Sequence, residues 1–118
     1  MRYVFLATLA ASLIAAGSAG AWTRITSEEE HRAFGVGRLW VAEPGHIVMH
    51  DDGTVTGEWV GLPMTGTWYW DEAEGFFCRD LQIGQAIRGF DCMVFEAEGN
   101  QMRTTRNATG EVVIFTAD

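Results

Sequence analysis

Carboxylates are the side chains in this sequence that could carry out acid–base chemistry. Two carboxyl groups that flank a scissile bond can hydrolyse a glycoside, one as the acid and the other as the nucleophile or base. The candidates in this sequence are Asp71, Glu72, Glu74, Asp80 and Asp91. The stretch from Asp71 to Gly75 is also rich in turn-forming residues, and no nucleophile or basic partner adjoins it. We therefore expect a solvated hairpin tip there and predict no catalytic residues, with a small carboxylate hydrolase as an alternative.

Histidine and serine side chains are the next candidates. His46 and His50 are four residues apart, which places both imidazoles on one side of a strand. Because each strand residue advances about 3.3 Å, their Cβ atoms would be about 13 Å apart, too far to bind one metal ion. Ser27 is the only serine beyond residue 21, and its position favours a helix cap over a serine triad. We predict no metal site and no cofactor.

The two cysteines form the clearest pairing pattern. If residues 75–83 and 87–97 form a hairpin about Gln85, Cys78 lies directly opposite Cys92. The same register gives the pairs Arg79–Asp91, Phe77–Met93, Phe76–Val94 and Ile83–Ile87. Because one register matches opposite charges and apolar groups together, we predict a Cys78–Cys92 disulfide at a non-hydrogen-bonded pair. Closing a loop of about 15 residues would contribute about 3 kcal/mol to stability.

Both faces of this hairpin are apolar. One face carries Phe76, Cys78, Phe90, Cys92 and Val94, and the other carries Phe77, Leu81, Ile83, Met93 and Phe95 around Arg79 and Asp91. A single-layer barrel buries only one face, so the second must be covered by the N-terminal helix, by Trp22 or by a partner. If the Arg79 face is interior, Arg79 and Asp91 are a candidate polar anchor for a ligand. If it is exterior, its aromatic surround is a candidate protein-binding patch.

Five tryptophans are the most distinctive feature of the composition: Trp22, Trp40, Trp59, Trp68 and Trp70. Packing in the core accounts for them most simply. Trp59, Trp68 and Trp70 are also candidates to line a pocket for a small apolar ligand. Trp68 and Trp70 share one face of a strand and Tyr69 occupies the other, so the tryptophan face is predicted to be interior.

The elements that would position these side chains are mainly strands. From Arg38 onward, short runs of β-forming residues alternate with turn residues at intervals of roughly eight to twelve. Asp52-Gly53 is the strongest hairpin signal. Ser27 and Glu30 have capping-box spacing, which predicts a short helix over 28–34. We predict an all-β fold, a small antiparallel meander barrel of about eight strands preceded by a short N-terminal helix.

The N-terminal residues have the pattern of a secretory signal peptide, with a basic start, an apolar run and a small-residue cleavage site at Ala19-Gly20-Ala21. We predict a signal peptide over 1–21 and a single β-barrel domain over 22–118. Removing Arg2 from the 8 basic residues leaves 7 against 16 acidic residues, a net charge of -9 that disfavours nucleic acid and membrane partners. Two cysteines in an exported chain indicate an oxidising extracytoplasmic location, either the bacterial periplasm or the medium.

Glycines and aromatics recur at characteristic positions: Asp52-Gly53, Gly57, Gly66-x-Trp68-x-Trp70, Gly75-Phe76-Phe77-Cys78-Arg79, Cys92 and Gly99. At these positions the chain resembles a group of small exported bacterial proteins of uncharacterised function. Some of these proteins are automatically named dihydrodipicolinate reductase. That activity needs a Gly-x-Gly-x-x-Gly fingerprint, and Gly35-Val36-Gly37 lacks its third glycine and following helix, so we do not expect it. More loosely, the chain looks like periplasmic metalloprotease inhibitors and lipocalin-like carriers, whose functional residues have no matched motif here.

The expected function is that of an exported, non-enzymatic β-barrel that binds a protein, in the manner of an inhibitor, or a small molecule. A lipocalin-like carrier of a small apolar ligand is the main alternative. The candidate binding residues are Arg79, Asp91, Phe77, Met93, Phe95, Trp59, Trp68 and Trp70.

Overall fold

The computed structural model describes residues 21–118. The predicted signal peptide lies outside the described residues, except for Ala21. Helix α1 runs from Glu28 to Phe34, as predicted. The Ser27 hydroxyl accepts a hydrogen bond from the backbone N–H of Glu30 at 3.1 Å, which satisfies a free donor of the first turn. Among residues 21–118, no helix is long and apolar enough to cross a membrane.

The remaining regular structure is β-sheet. The strands are β1 Thr23–Arg24, β2 Trp40–Ala42, β3 Gly45–Met49, β4 Thr54–Trp59, β5 Leu62–Asp71, β6 Phe76–Ile83, β7 Ala86–Glu98, β8 Gln101–Arg106 and β9 Val112–Thr116. Strands β2 to β9 pair antiparallel in chain order, and β9 returns to pair with β2 at Val41 and Thr116. This closes an eight-stranded barrel, so the predicted all-β meander is confirmed. Strand β1 extends the sheet along β7, beyond the part that pairs with β6.

The β6–β7 hairpin has the predicted register over most of its length. Cys78 pairs with Cys92 and forms a disulfide with it, and their Cα atoms are 4.0 Å apart, as a non-hydrogen-bonded pair requires. The ladder runs from Phe77–Met93 to Ile83–Ala86, so the expected pairs Phe76–Val94 and Ile83–Ile87 are absent from it. The physical cause is a β-bulge: Leu81 faces Gly89 and Gln82 faces Ile87, which leaves Arg88 as an extra residue on β7.

Barrel closure decides which hairpin face is interior. The side chains of Phe77, Arg79, Asp91, Met93 and Phe95 are buried, so the Arg79 face points into the barrel. On the outer face, Tyr69 and Phe90 stack with ring centroids 6.2 Å apart and stay half exposed, at 52% and 59%. Of the three possible covers considered for this face, helix α1 does not lie over Tyr69 and Phe90.

Helix α1 instead closes one end of the barrel. His31, fully buried, packs among interior aromatic rings, with centroids 5.0 Å from Trp68 and 5.3 Å from Trp70. The indole N–H of Trp40 donates to the carbonyl of Gly35 at 2.8 Å, just after the helix ends. Trp40, Trp68 and Trp70 thus belong to the core beneath the helix, as their predicted interior position implies.

Candidate ligand cavity in the barrel interior

The barrel interior is divided between a packed half and a hollow half. Strand β5 illustrates the division: Trp68 and Trp70 lie in the packed half under α1, and Met64, near the start of the strand, lines a cavity of about 140 Å³. Most of the lining is apolar and includes Ile47, Val55, Trp59, Met64, Met93 and Val113. The lining residues Arg88 and Glu111 are exposed, so the cavity reaches solvent at the end of the barrel remote from the helix.

A pair of phenylalanines forms the boundary between the two halves. Phe77 and Phe95 stack with ring centroids 4.3 Å apart, and both line the cavity. On their other side, the His31 ring lies 5.2 Å from Phe77 and 5.3 Å from Phe95. The helix therefore supports the cavity through this stack, without itself contributing a lining residue.

Three tryptophans were predicted as candidates to line a pocket, and one of them does so. Trp59 lines the cavity, whereas Trp68 and Trp70 do not, because they fill the space beneath α1. Of the other candidate binding residues, Phe77, Arg79, Met93 and Phe95 line the cavity, and Asp91 is buried beside it on β7. Phe77, Arg79, Asp91, Met93 and Phe95 are all buried, so they do not form the exposed protein-binding patch that was the alternative prediction.

The polar groups of the cavity are arranged differently from the expected Arg79–Asp91 pair. The carboxylate of Asp91 accepts from Arg106 Nε at 2.6 Å and from the backbone N–H of Cys92 at 2.8 Å. Arg106 also lies 3.3 Å from a carboxylate oxygen of Glu111. Arg79, directly opposite Asp91 in register, donates from Nη1 to the carbonyl of Gly89 at 2.9 Å and forms no ion pair among the described residues.

The pKa values of these groups follow from their surroundings. Burial lowers the pKa of Arg79 and nearby Arg106 lowers it further, while Asp91 offsets only part of this. Burial raises the pKa of Asp91, but the hydrogen bonds from Arg106 and Cys92 and the positive charges of Arg106 and Arg79 together outweigh it, so this pKa lies below its usual value. The hydrogen bond to Asp91 raises the pKa of Arg106. Asp91 and Arg106 therefore stabilise each other's charge, and Arg79 remains an incompletely compensated cation.

The carboxylates considered for hydrolysis do not converge on one cleft. Asp71 and the turn that follows it lie near the start of α1, where Glu72 accepts from the backbone N–H of Glu28 at 2.9 Å. Asp80 is exposed on β6, and Asp91 is held inside by Arg106.

Of the two histidines considered for a metal site, His50 contacts the Thr56 hydroxyl at 2.7 Å. Residues 21–118 contain no group of three metal-ligating side chains.

Four polar residues that line the cavity were not among the candidates from the sequence: Arg88, Thr104, Arg106 and Glu111. Thr104 and Arg106 alternate along β8, so their shared face could have been deduced once β8 was paired with β7. The position of Arg88 depends on the β-bulge. Asp91 points into the barrel, so strict alternation of side chains along β7 would have placed Arg88 on the outer face of the barrel.

No protein-family model matches this chain, and no curated protein or solved structure shows significant similarity to it. The resemblance to small exported bacterial barrels therefore stays a prediction.

Proposed function

We propose that this protein is an exported, non-enzymatic binding protein that carries a small, largely apolar ligand inside its barrel. The observation that carries the proposal is the cavity of about 140 Å³ between the Phe77–Phe95 stack and the open end of the barrel. Ligand sites are concave and mostly apolar, with a few polar groups that fix orientation, and this cavity combines those properties.

The size of the cavity limits the ligand. Cavities of about 150 Å³ lined by aliphatic and aromatic side chains bind benzene. The ligand is therefore about the size of one aromatic ring or a short aliphatic chain. The rigid frame around it, with a disulfide between two barrel strands, favours a preformed site.

The alternatives from the sequence are less well supported. An inhibitor-like role based on Arg79, Phe77, Met93 and Phe95 requires these side chains to meet a protein, and they face the interior. A carboxylate hydrolase requires two carboxyl groups at one open cleft, and the candidates lie in separate places. The buried Cys78–Cys92 disulfide supports the proposed extracytoplasmic location, because disulfides persist in oxidising compartments.

Methionine methyl groups provide the test. Met49, Met64 and Met93 line the cavity, whereas Met102 is fully buried but does not. With 13C-labelled methionine methyls, titration of benzene into the folded protein should shift the signals of the three lining residues in a saturable way and leave Met102 nearly unchanged. Uniform shifts, or none, would refute an internal binding site.

A pair of variants on one strand serves as a control. Val113 lines the cavity, and Ile114, its neighbour on β9, is 45% exposed on the outside of the barrel. Val113→Trp should fill the cavity and abolish benzene binding. Ile114→Trp, which adds an indole at the next position but outside, should bind benzene as the unmodified protein does.

A further inference from the structure

Three arginines of this acidic protein line the cavity. Beyond residue 21 the chain has 7 arginines, no lysine and a net charge of -9. Three of those arginines, Arg79, Arg88 and Arg106, line the cavity together with the carboxylate of Glu111. Asp91 supplies a second carboxylate through its bond to Arg106. Three cations and two carboxylates leave one unit of positive charge, opposite in sign to the protein as a whole.

Arg79 is the buried cation of the three, and the protein satisfies little of its charge and few of its donors. It is only 6% exposed, and the one protein acceptor it reaches among the described residues is the carbonyl of Gly89. A guanidinium has five N–H donors in a planar fork, so most of those on Arg79 are free to bind something in the cavity. A buried charge is costly unless it is paired, which makes Arg79 a site where an anion would be stabilised.

The β-bulge brings a second arginine toward the same space. Leu81 pairs with Gly89 and Gln82 with Ile87, so Arg88 is the inserted residue, and Gly89 has a φ of 77° that suits glycine. Bulges commonly re-aim a side chain beside a functional site. Strict alternation of side chains along β7 would have turned Arg88 away from the cavity. Because of the bulge, Arg88 instead lines the cavity at its exposed mouth.

We propose that the ligand is a small monocarboxylate with an apolar body, whose carboxylate is bound by Arg79 with help from Arg88 and whose body lies against Phe77, Met93 and Trp59. This inference rests on the proposed function and adds the chemical class of the ligand. A carboxylate carries one negative charge and matches the planar fork of arginine in two parallel hydrogen bonds. A phosphate monoester carries about -1.5 to -2 and would exceed the one positive charge available.

The test compares two probes of nearly equal shape. Benzoate is ionised at pH 7 and benzamide is neutral, so their difference in affinity reports the contribution of the charge. Isothermal titration calorimetry or the methionine methyl signals would give both dissociation constants. Because charge-assisted hydrogen bonds are the strong ones, we expect benzoate to bind at least about tenfold more tightly than benzamide. Raising the salt concentration should reduce this preference only modestly, since Arg79 is buried.

Three variants assign the preference to its residues. Arg79→Gln should remove most of the preference for benzoate and leave benzamide binding nearly intact. Arg88→Gln, at an exposed position that the fold tolerates, should reduce the preference in part, which keeps the test valid if Arg79→Gln does not fold. Arg103→Gln is the matched control, because Arg103 pairs with Glu96 and does not line the cavity. It should bind both probes unchanged.

Each outcome has a distinct meaning. If neither probe nor benzene binds, the proposed function fails. If benzene and benzamide bind and benzoate binds no more tightly than benzamide, the carrier function stands and the carboxylate inference is overturned. It is equally overturned if the preference survives in both Arg79→Gln and Arg88→Gln.

Discussion

Arg106 donates from Nε to Oδ2 of Asp91 at 2.6 Å, although the residue directly opposite Asp91 in the β6–β7 register is Arg79. On β8, Arg106 pairs with Met93, so it is the diagonal neighbour of Asp91 on the same face of the sheet. The partner supplied by β8 thus takes the carboxylate that the hairpin alone would have given to Arg79. The consequence is an ion pair between Asp91 and Arg106 beside Arg79, which forms no ion pair among the described residues.

The Asp91–Arg106 pair should contribute strongly to stability. Asp91→Asn should lower the free energy of unfolding by about 3 kcal/mol, because it removes the shorter and more buried carboxylate contact of Arg106 and leaves only the longer one with the exposed Glu111. Glu96→Gln, on the same strand, is the control: its pair with Arg103 is more exposed and should cost less than about 1 kcal/mol. Urea denaturation at pH 7 measures both, and equal losses would contradict the prediction.

The stability that the Asp91–Arg106 pair contributes should decrease in acid. The pKa of Asp91 is lower in the folded than in the unfolded state, so its contribution is complete above about pH 4 and is lost as pH falls through the folded value. The difference in unfolding free energy between the unmodified protein and Asp91→Asn should therefore shrink below about pH 4. A difference that stays constant down to pH 2 would rule out this assignment.

The disulfide should stabilise the barrel by restricting the unfolded chain. Cys78 and Cys92 are 14 positions apart, so replacing both with alanine should lower the free energy of unfolding by about 3 kcal/mol. Reductant should destabilise the unmodified protein by a similar amount and have no effect on the double variant. Sensitivity of the double variant to reductant would show that the effect has another origin.

His31 should make the protein less stable in mild acid. Its ring is fully buried, and neither Nδ1 nor Nε2 has a hydrogen-bond partner among the described residues. Burial, with a smaller effect of Arg32, lowers the pKa of His31 to about 4 from a usual value of 6.5. The unfolded chain therefore takes up a proton first as pH falls, and the free energy of unfolding should drop by about 3 kcal/mol between pH 6.5 and 4.

The variant His31→Phe isolates this effect. Phenylalanine keeps a ring among Trp68, Trp70, Phe77 and Phe95 but cannot be protonated. Denaturation curves measured from pH 7 to 4.5 should show the slope in the unmodified protein and a flatter line in the variant. Parallel slopes would assign the acid sensitivity to other groups.

Gly66 should be intolerant of a side chain. A Cβ atom at this position would collide with the backbone carbonyl oxygen of Asp80 on the neighbouring strand β6. Since the obstacle is backbone, Gly66→Ala should cost about 2 to 3 kcal/mol. Thr67→Ala, at the adjacent exposed position on β5, should change stability by less than about 1 kcal/mol. Thermal or urea unfolding of the two variants provides the comparison.

Several features of this protein were determined by its sequence alone. Ser27 and Glu30 defined the start of the helix, Asp52-Gly53 defined the turn between β3 and β4, and Cys78 and Cys92 defined the register of β6 with β7 up to the bulge. The alternation of Trp68, Tyr69 and Trp70 also assigned the correct interior face to β5. These features depend on residues that are close along the chain or directly opposite each other in one hairpin, where turn geometry and strand alternation dominate.

Only the tertiary structure decided which apolar face of the β6–β7 hairpin is interior. Both faces offer similar hydrophobic burial, so the choice depends on closure of β9 onto β2 and on the helix that caps one end. The bulge that re-aims Arg88 and the approach of Arg106 to Asp91 likewise arise when distant strands meet. A pairing that is favourable within one hairpin is replaced when a third strand supplies a better-placed partner, and that competition exists only in the closed barrel.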